Sequence, residues 1–165
     1  MEHRSSSPPV LQNSVPLDDA DRKILRELQQ DATPSLDRLA KKTGVSKTKA
    51  WNRIHRLERE GVILRQVVIV DPERVGMPET FFIGIRTNQH NAEWLDAFTR
   101  AVRDMPEILE AHRLAGERDY LLKGQVPSTR EFDAFYKRLV AQIDLYDVTS
   151  NLSMEVLKHE TALPL

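Results

Sequence analysis

The sequence contains no cysteine, so a disulfide framework, a cysteine-ligated metal and a thiol nucleophile are all excluded. Long apolar runs are also missing. No segment approaches the roughly 18 apolar residues of a membrane span, and the first residues lack the apolar stretch of a signal peptide. We therefore expect a soluble protein of the reducing cytoplasm that does not bind a membrane.

The sequence patterns of common enzymes are missing as well. The six glycines form no phosphate-binding or dinucleotide-binding loop, and there is no GxSxG nucleophile motif. The five histidines include no pair at i, i+4 spacing and no HExxH motif, which argues against a metal site. We predict that the protein is not an enzyme and has no metal ion or cofactor.

Charge is distributed unevenly along the chain. Its 165 residues, 40% of them hydrophobic, suffice for one ordinary domain or two small ones. Residues 38–65 hold nine basic and two acidic residues, a local net charge of +7, whereas the net charge of the whole chain is −1. Such a split favours two domains, and a strongly basic segment in an otherwise acidic chain is typical of a nucleic-acid-binding surface.

The basic segment contains a predicted amphipathic helix. Ser46 is suited to cap its N-terminus, and Gly61 is suited to end it. Helical periodicity separates an apolar side from a cationic side: Ala50, Ile54 and Leu57 on the first, and Lys49, Asn52, Arg53 and Arg56 on the second. Trp51 and His55 fall on a flank, where we expect Trp51 to pack at the edge of the domain rather than to contact bases.

A second short helix is predicted just before the basic one. It is capped by Ser35 and ends at Gly44, so the link of residues 44–46 must turn sharply. Two short helices joined in this way, with the second one basic, predict a helix-turn-helix whose second helix enters the DNA major groove. A preceding helix, capped by Asp18 and with Asp21 complementing its N-terminal dipole, completes the unit. The residues predicted to contact DNA are Ser46, Lys47, Thr48, Lys49, Asn52, Arg53 and Arg56.

The remainder of the chain shows a different pattern. Residues 1–16 are rich in Ser and Pro and predict a disordered tail. Residues 62–70, VILRQVVIV, predict a wing or connecting strand, and the Pro and Gly residues of 71–79 predict a domain boundary.

The second half of the chain alternates strand and helix signals. Strands are predicted at residues 80–87, 108–115, 119–126 and 148–157, and helices at 92–105 and 128–142, with a tight turn at 116–118. The order β-α-β-β-α-β predicts an α+β, ferredoxin-like domain. One face of its sheet, including Phe82 and Leu121, would stay partly apolar unless a second subunit covers it.

Several separated segments resemble the Lrp/AsnC family of feast/famine transcription regulators: LDDADRKILRELQQDA, LAKKTGVSKTKAWNRIHRLEREGVI, DPERVG, AGERDYLL and SMEVLKHETALPL. The resemblance extends over residues 17–165. It implies a winged-helix-like helix-turn-helix domain at 17–61, a connecting strand and linker at 62–79, and a RAM/ACT-like ferredoxin-like βαββαβ domain at 80–165 that binds an effector and oligomerises. It also implies homodimers that can assemble into tetramers or octamers, an amino-acid effector, and control of amino-acid metabolism genes; a dimer should bind a palindromic operator in double-stranded DNA.

The resemblance also implies an effector site. The family's glycine turn falls on Gly116, and its acid and aromatic fall on Asp119 and Tyr120. Asp119 can accept hydrogen bonds from an ammonium group, and backbone amides or hydroxyls can bind a carboxylate. The predicted site comprises Gly116, Glu117, Arg118, Asp119, Thr149 and Ser150.

Arg118 departs from the family pattern, and three roles stay open for it. It can bind the effector carboxylate, plug the pocket, or sit at the tip of the hairpin. The alternative function is an amino-acid-sensing or oligomerisation module without DNA binding. The cationic side of the second helix, tested by binding to heparin and to DNA, distinguishes the two functions.

Overall fold

The computed structural model describes residues 14–165, so most of the predicted tail, residues 1–13, lies outside the described part of the chain. The described residues form two compact units. We call the first the helical unit; it contains the chain up to Val68 together with His159–Leu165. We call the second, Ile69–Lys158, the sheet unit. None of the helices in the described residues is long and apolar enough to cross a membrane.

The helical unit contains three helices, α1 (Asp19–Gln30), α2 (Leu36–Thr43) and α3 (Lys47–Arg59). Each begins after a predicted capping residue, namely Asp18, Ser35 or Ser46, whose side chain accepts a hydrogen bond from a backbone amide of the first turn. Gly44 ends α2 in the left-handed conformation, with a φ of 71°, which glycine adopts without a steric penalty. The predicted helix-turn-helix is therefore confirmed.

A small apolar core joins the three helices. Ile24, Leu39 and Ala50 are at most 1% exposed, one from each helix. They are surrounded by partly buried apolar side chains, namely Leu28, Val45 and Ile54. A core of this size makes a small domain only marginally stable by itself.

The last residues of the chain also belong to the helical unit, because they bind to α1. The Gln29 side chain donates a hydrogen bond to the Leu163 carbonyl at 3.2 Å and accepts one from the Leu163 amide at 2.6 Å. Arg26 Nε donates to the main-chain oxygen of Leu165 at 2.8 Å. The helical unit is thus built from two separate stretches of sequence.

The predicted connecting strand is not formed within the described chain. Residues 64–70 have no strand neighbour, and several of their apolar side chains are exposed, including Leu64 at 88% and Val68 at 87%. β-branched residues favour an extended backbone, but a strand also needs a partner to receive its hydrogen bonds.

The sheet unit has the predicted ferredoxin-like order. Its elements are β1 (Glu79–Arg86), α4 (Ala92–Asp104), β2 (Ile108–Arg113), β3 (Tyr120–Val126), α5 (Thr129–Gln142) and β4 (Asp147–Leu152). The strands lie in the order β2-β3-β1-β4, and all neighbours are antiparallel. Asn91 and Ser128 cap the two helices.

The two faces of this sheet differ in composition. One face packs against α4 and α5 and buries most of the core, including Phe81, Phe98, Leu122, Phe135 and Leu139. Because side chains alternate along a strand, Phe82 and Leu121 lie on the opposite face, which we call the outer face. Both are half-buried in the single chain, so the prediction of a partly apolar outer face is confirmed.

Several strand boundaries differ from the prediction. The middle strands are shorter, so the expected tight turn at 116–118 is a six-residue loop, Leu114 to Asp119. It is closed by a 2.8 Å hydrogen bond from the Leu114 amide to the Asp119 carbonyl. The last strand ends at Leu152 instead of residue 157, although the Ser153 amide still donates a hydrogen bond to the Thr80 carbonyl at 2.8 Å. In this register β1, which starts at Glu79, offers no neighbour beyond residue 154.

Candidate DNA-binding surface and effector site

One side of α3 is buried and the other is open to solvent. Ala50 and Leu57 have no exposed surface, which anchors the helix to the core. The predicted DNA-contacting residues of the first two turns are all exposed: Lys47, Thr48, Lys49 and Asn52. Ser46, directly before them, accepts a hydrogen bond from the Lys49 amide at 3.4 Å. The start of α3 therefore presents a polar, cationic surface next to the turn.

Arg53 and Arg56 are in a different position, because their guanidinium groups contact carboxylates of the first helix. Arg53 Nη1 donates to Asp18 Oδ1 at 2.8 Å and to Asp21 Oδ1 at 2.7 Å. Arg56 Nη2 donates to Asp21 Oδ2 at 2.5 Å. DNA contact by these two arginines stays a prediction.

The environment of Asp21 is electrostatically unusual. Its side chain is only 1% exposed. Burial acts to raise the pKa of this carboxyl group, but hydrogen bonds from Arg56, Arg53 and the Asp18 amide outweigh burial and hold the pKa below its usual value. The same contacts raise the pKa of Arg53 and Arg56. Asp21 is therefore an ionised, buried group held by two cations.

Trp51 lies on the flank of α3. Its ring meets His55 edge-on, with centroids 4.1 Å apart, and half of its surface is exposed. Packing of Trp51 at the edge of the domain, instead of contact with bases, stays a prediction.

In the sheet unit, Arg118 folds back from the 114–119 loop onto the outer face. Its Cγ and Cδ atoms lie 3.5 Å from the position that a Cβ would occupy on Gly84. Its guanidinium forms an ion pair with Asp147, at the start of β4. Arg118 thus lies in the hairpin loop, but its side chain packs back onto the sheet instead of extending into solvent. Its binding of an effector carboxylate and its plugging of the pocket stay predictions.

Asp119 ties the same loop to the end of β1. Its Oδ2 accepts a hydrogen bond from the Thr87 amide at 2.8 Å, and its own amide donates to the Ile85 carbonyl at 2.9 Å. Gly116 and Glu117 lie in the exposed part of the loop, and Gly116 does not have the positive φ expected of a glycine turn.

The two predicted hydroxyl groups do not point to the same place. Thr149 lies opposite Gly84 on the outer face, onto which Arg118 folds, whereas Ser150 lies opposite Ile83 on the helix-covered face. The structure therefore places Thr149 on the same face as Arg118 and Ser150 on the other. Among the described residues, no cluster of three acidic or histidine side chains could hold a metal ion.

Comparison with known protein families accounts for both units. Residues 17–63 match a winged helix-turn-helix DNA-binding domain, and residues 80–163 match the Lrp/AsnC ligand binding domain. The chain belongs to the Lrp/AsnC family. It is thus a DNA-binding transcriptional regulator whose DNA binding is modulated by a small effector.

Individual Lrp/AsnC proteins are similar over almost their whole length. The glutamate uptake regulatory protein of Zymomonas mobilis is 49% identical over 149 residues, which cover 90% of this chain and 91% of the relative. An AsnC family transcriptional regulator from Agrobacterium tumefaciens is 47% identical, with a TM-score of 0.87 over 90% of this chain and 97% of the other. A transcriptional regulator from Neisseria meningitidis, solved in complex with L-methionine, is 28% identical, with a TM-score of 0.86 over the same shares.

Sequence reasoning missed two features of this Lrp/AsnC chain. It assigned Asp21 only to the helix dipole, although Asp21 shares the helical spacing of the buried Ile24 and Leu25, a signal that could have revealed its burial. It also missed Asp147 and Gly84, which hold and accommodate Arg118. No local pattern points to these two, because their contacts depend on strand pairing.

Proposed function

We propose that this Lrp/AsnC regulator controls genes of amino-acid metabolism from a palindromic operator, that its effector is an amino acid, and that it acts in the cytoplasm without catalytic activity. The observation that carries the proposal is the exposed, cationic start of α3 next to the sharp turn at Gly44. The relatives support the choice of effector class, since one is a glutamate uptake regulator and another was solved with L-methionine.

We assign the tasks to segments as follows. Residues 17–61 bind DNA through Ser46, Lys47, Thr48, Lys49 and Asn52. Arg53 and Arg56 follow further along α3, where they contact carboxylates of α1. Residues 62–79 connect the two domains. Residues 80–165 bind the effector and oligomerise.

Electrophoretic mobility-shift assays with single variants test the DNA-binding surface. Lys49→Ala should weaken binding to every sequence and reduce the slope of log K against log salt by about one, because a phosphate contact is lost. Asn52→Ala should relax preference for particular bases, at a cost of about 1–3 kcal/mol, because amide side chains read base edges. Lys137→Ala, an exposed lysine of the sheet unit, is the control. Wild-type affinity in both α3 variants at physiological salt would contradict the assignment.

We propose that the protein is at least a dimer. The partly apolar outer face and the exposed apolar residues of 64–70 support a second copy as their cover. The operator should then be an imperfect palindrome with half-sites about 10 bp apart, or a multiple of that. Sedimentation at micromolar concentration checks this, and a 19.0 kDa species with and without amino acids would contradict it.

We place the effector at the 114–119 loop, with Gly116, Glu117, Arg118 and Asp119 at its lip and Thr149 beside Arg118. Ser150 was predicted to belong here, but its position on the other face supports no direct role in the same subunit. A thermal-shift screen of all amino acids identifies the effector, because a ligand that binds only the native state raises the Tm. If no amino acid shifts the Tm, the effector class is wrong.

A further inference from the structure

The carboxylate of Asp21 joins α1 to α3. It receives three hydrogen bonds, from Arg53 Nη1 at 2.7 Å, from Arg56 Nη2 at 2.5 Å and from the Asp18 amide at 3.1 Å. The two arginines are 32 and 35 residues away in sequence. Two of the three bonds therefore come from a different helix, and that helix is the one proposed to enter the DNA groove.

A buried carboxylate requires such partners. Removing one partner from a buried ion pair leaves an uncompensated charge, which is strongly destabilising. A DNA phosphate that drew Arg53 and Arg56 away would leave Asp21, which is 1% exposed, in that state. The carboxylate and a DNA phosphate would then compete for the same two cations, the carboxylate from inside the protein.

The ion pair of Lys47 with Asp37 shows the contrast. Both of its side chains are largely exposed, 60% for Lys47 and 70% for Asp37. Exposed pairs of this kind add little stability, because water solvates either partner after separation. Lys47 can therefore exchange its carboxylate for a phosphate at little cost. The side chains of Arg53 and Arg56 are only 28% and 33% exposed, and the partner that they share, Asp21, is not free to be solvated. Arg53 has a second partner, Asp18, which is 56% exposed and can be solvated after separation.

We propose that Asp21 is a positioning residue for α3, which holds Arg53 and Arg56 against α1 and withholds them from DNA. The angle of α3 is then fixed by this ionic contact as well as by the small apolar core. Contact with DNA is left to Ser46, Lys47, Thr48, Lys49 and Asn52. The proposal rests on the proposed DNA-binding function of α3, but it changes the role of two residues in it.

Salt dependence of binding to a short mixed-sequence duplex tests the proposal in the full chain. The slope of log K against log salt, over roughly 50 to 200 mM, counts the phosphates that the protein neutralises. Lys49→Gln should reduce the slope by about one. Arg56→Gln and Arg53→Gln should lower the Tm and weaken binding with little change in slope, because the lost group positions the helix and neutralises no phosphate.

Asp21→Asn should change the slope of log K against log salt in the opposite direction to Lys49→Gln. It removes the internal competitor, so the Tm should fall while the slope becomes steeper by about one to two, because Arg56 is released and Arg53 keeps only its exposed pair with Asp18. A residue with only a structural role would lower the Tm without making the slope steeper. If Asp21→Asn does not fold, the two arginine variants alone decide.

The measurements distinguish a failure of the positioning role of Asp21 from a failure of the proposed DNA-binding function. A slope reduction in Arg56→Gln equal to that in Lys49→Gln, with an unchanged Tm, would overturn the positioning role and leave the DNA-binding function intact. A wild-type protein that does not bind the duplex at all would contradict the proposed function itself.

Discussion

The helical unit and the sheet unit bury different kinds of groups. In the sheet unit, aromatic rings of the strands pack against rings of the helices. The ring centroid of Phe81 lies 5.0 Å from those of Phe132 and Phe135, and the centroid of Phe98 lies 4.5 Å from that of Tyr120. In the helical unit, the apolar core is small and a carboxylate with two arginines is buried beside it. Apolar contacts are non-directional, whereas a hydrogen-bonded ion network fixes an orientation. The unit that must present a helix at a set angle thus uses the directional contact.

The largest expected effect tests the apolar side of this comparison. Phe135→Ala removes a ring with no exposed surface, so the free energy of unfolding of the sheet unit should fall by about 3–5 kcal/mol. Tyr146→Ala, at a residue that is 66% exposed in the same unit, is the matched control and should change it little. Urea unfolding monitored by circular dichroism measures both, and equal losses would show that the sheet unit does not depend on this aromatic core.

A second prediction concerns the polar contact of the sheet unit. Asp119→Ala leaves the amide of the buried Thr87 without its acceptor, so stability should fall by about 1–3 kcal/mol. If Asp119 also binds the effector ammonium, the DNA shift should lose its response to the amino acid while affinity without effector is kept. Asp133→Ala, at an exposed acid paired with Lys137, is the control. A lower Tm with an undiminished effector response would leave Asp119 a purely structural role.

A matched pair of glycine variants compares the turns of the two units. Gly44→Ala forces a side chain into a φ of 71°, which should cost about 1 kcal/mol. Gly116 does not have a positive φ, and the space around an added methyl group is open. The Tm of Gly116→Ala should therefore equal the wild-type Tm. A loss at Gly116 as large as that at Gly44 would indicate a conformational demand in the loop. A lost effector response at unchanged Tm would instead support a close approach of ligand to the backbone.

The smallest effect is a pH dependence. Because the pKa of Asp21 is lower in the folded protein, its stabilisation is present above the unfolded-state pKa of about 3.9 and is lost as pH falls through the folded value. The Tm difference between wild type and Asp21→Asn should be constant from about pH 7 to about pH 5 and shrink below about pH 4. A difference that grows on acidification would contradict the ionised state of Asp21.

Local chemistry determines which features could be predicted from the sequence. Asp18, Ser35 and Ser46 cap their own helices, and the contacts involved span three residues, so the helix starts were predictable. A strand at 62–70 does not form in the single chain, because a β-branched composition specifies conformation and not the presence of a neighbour.

The candidate site depended on long-range contacts. Arg118 was visible as a departure from the family pattern, but its place over Gly84 follows from the pairing of β1 with β3 and β4. The grouping of Thr149 with Ser150 was avoidable, since adjacent residues of a strand point to opposite faces. The role of Asp21 could be predicted only from its helical spacing together with its ionic partners, which are more than thirty residues away in sequence.

The return of the last residues to α1 makes the sheet unit an insertion within the helical unit. The inserted segment, Ile69–Lys158, is about 90 residues long, and closing an unfolded loop of that length costs about 4 kcal/mol of chain entropy. The three hydrogen bonds that hold Leu163 and Leu165 contribute about 3 kcal/mol at most, because they are exposed. When the sheet unit unfolds, its ends separate and residues 159–165 detach from α1. Damage confined to the inserted segment therefore weakens the DNA-binding portion, and a fragment that ends at Val68 is less stable than the same residues in the full chain.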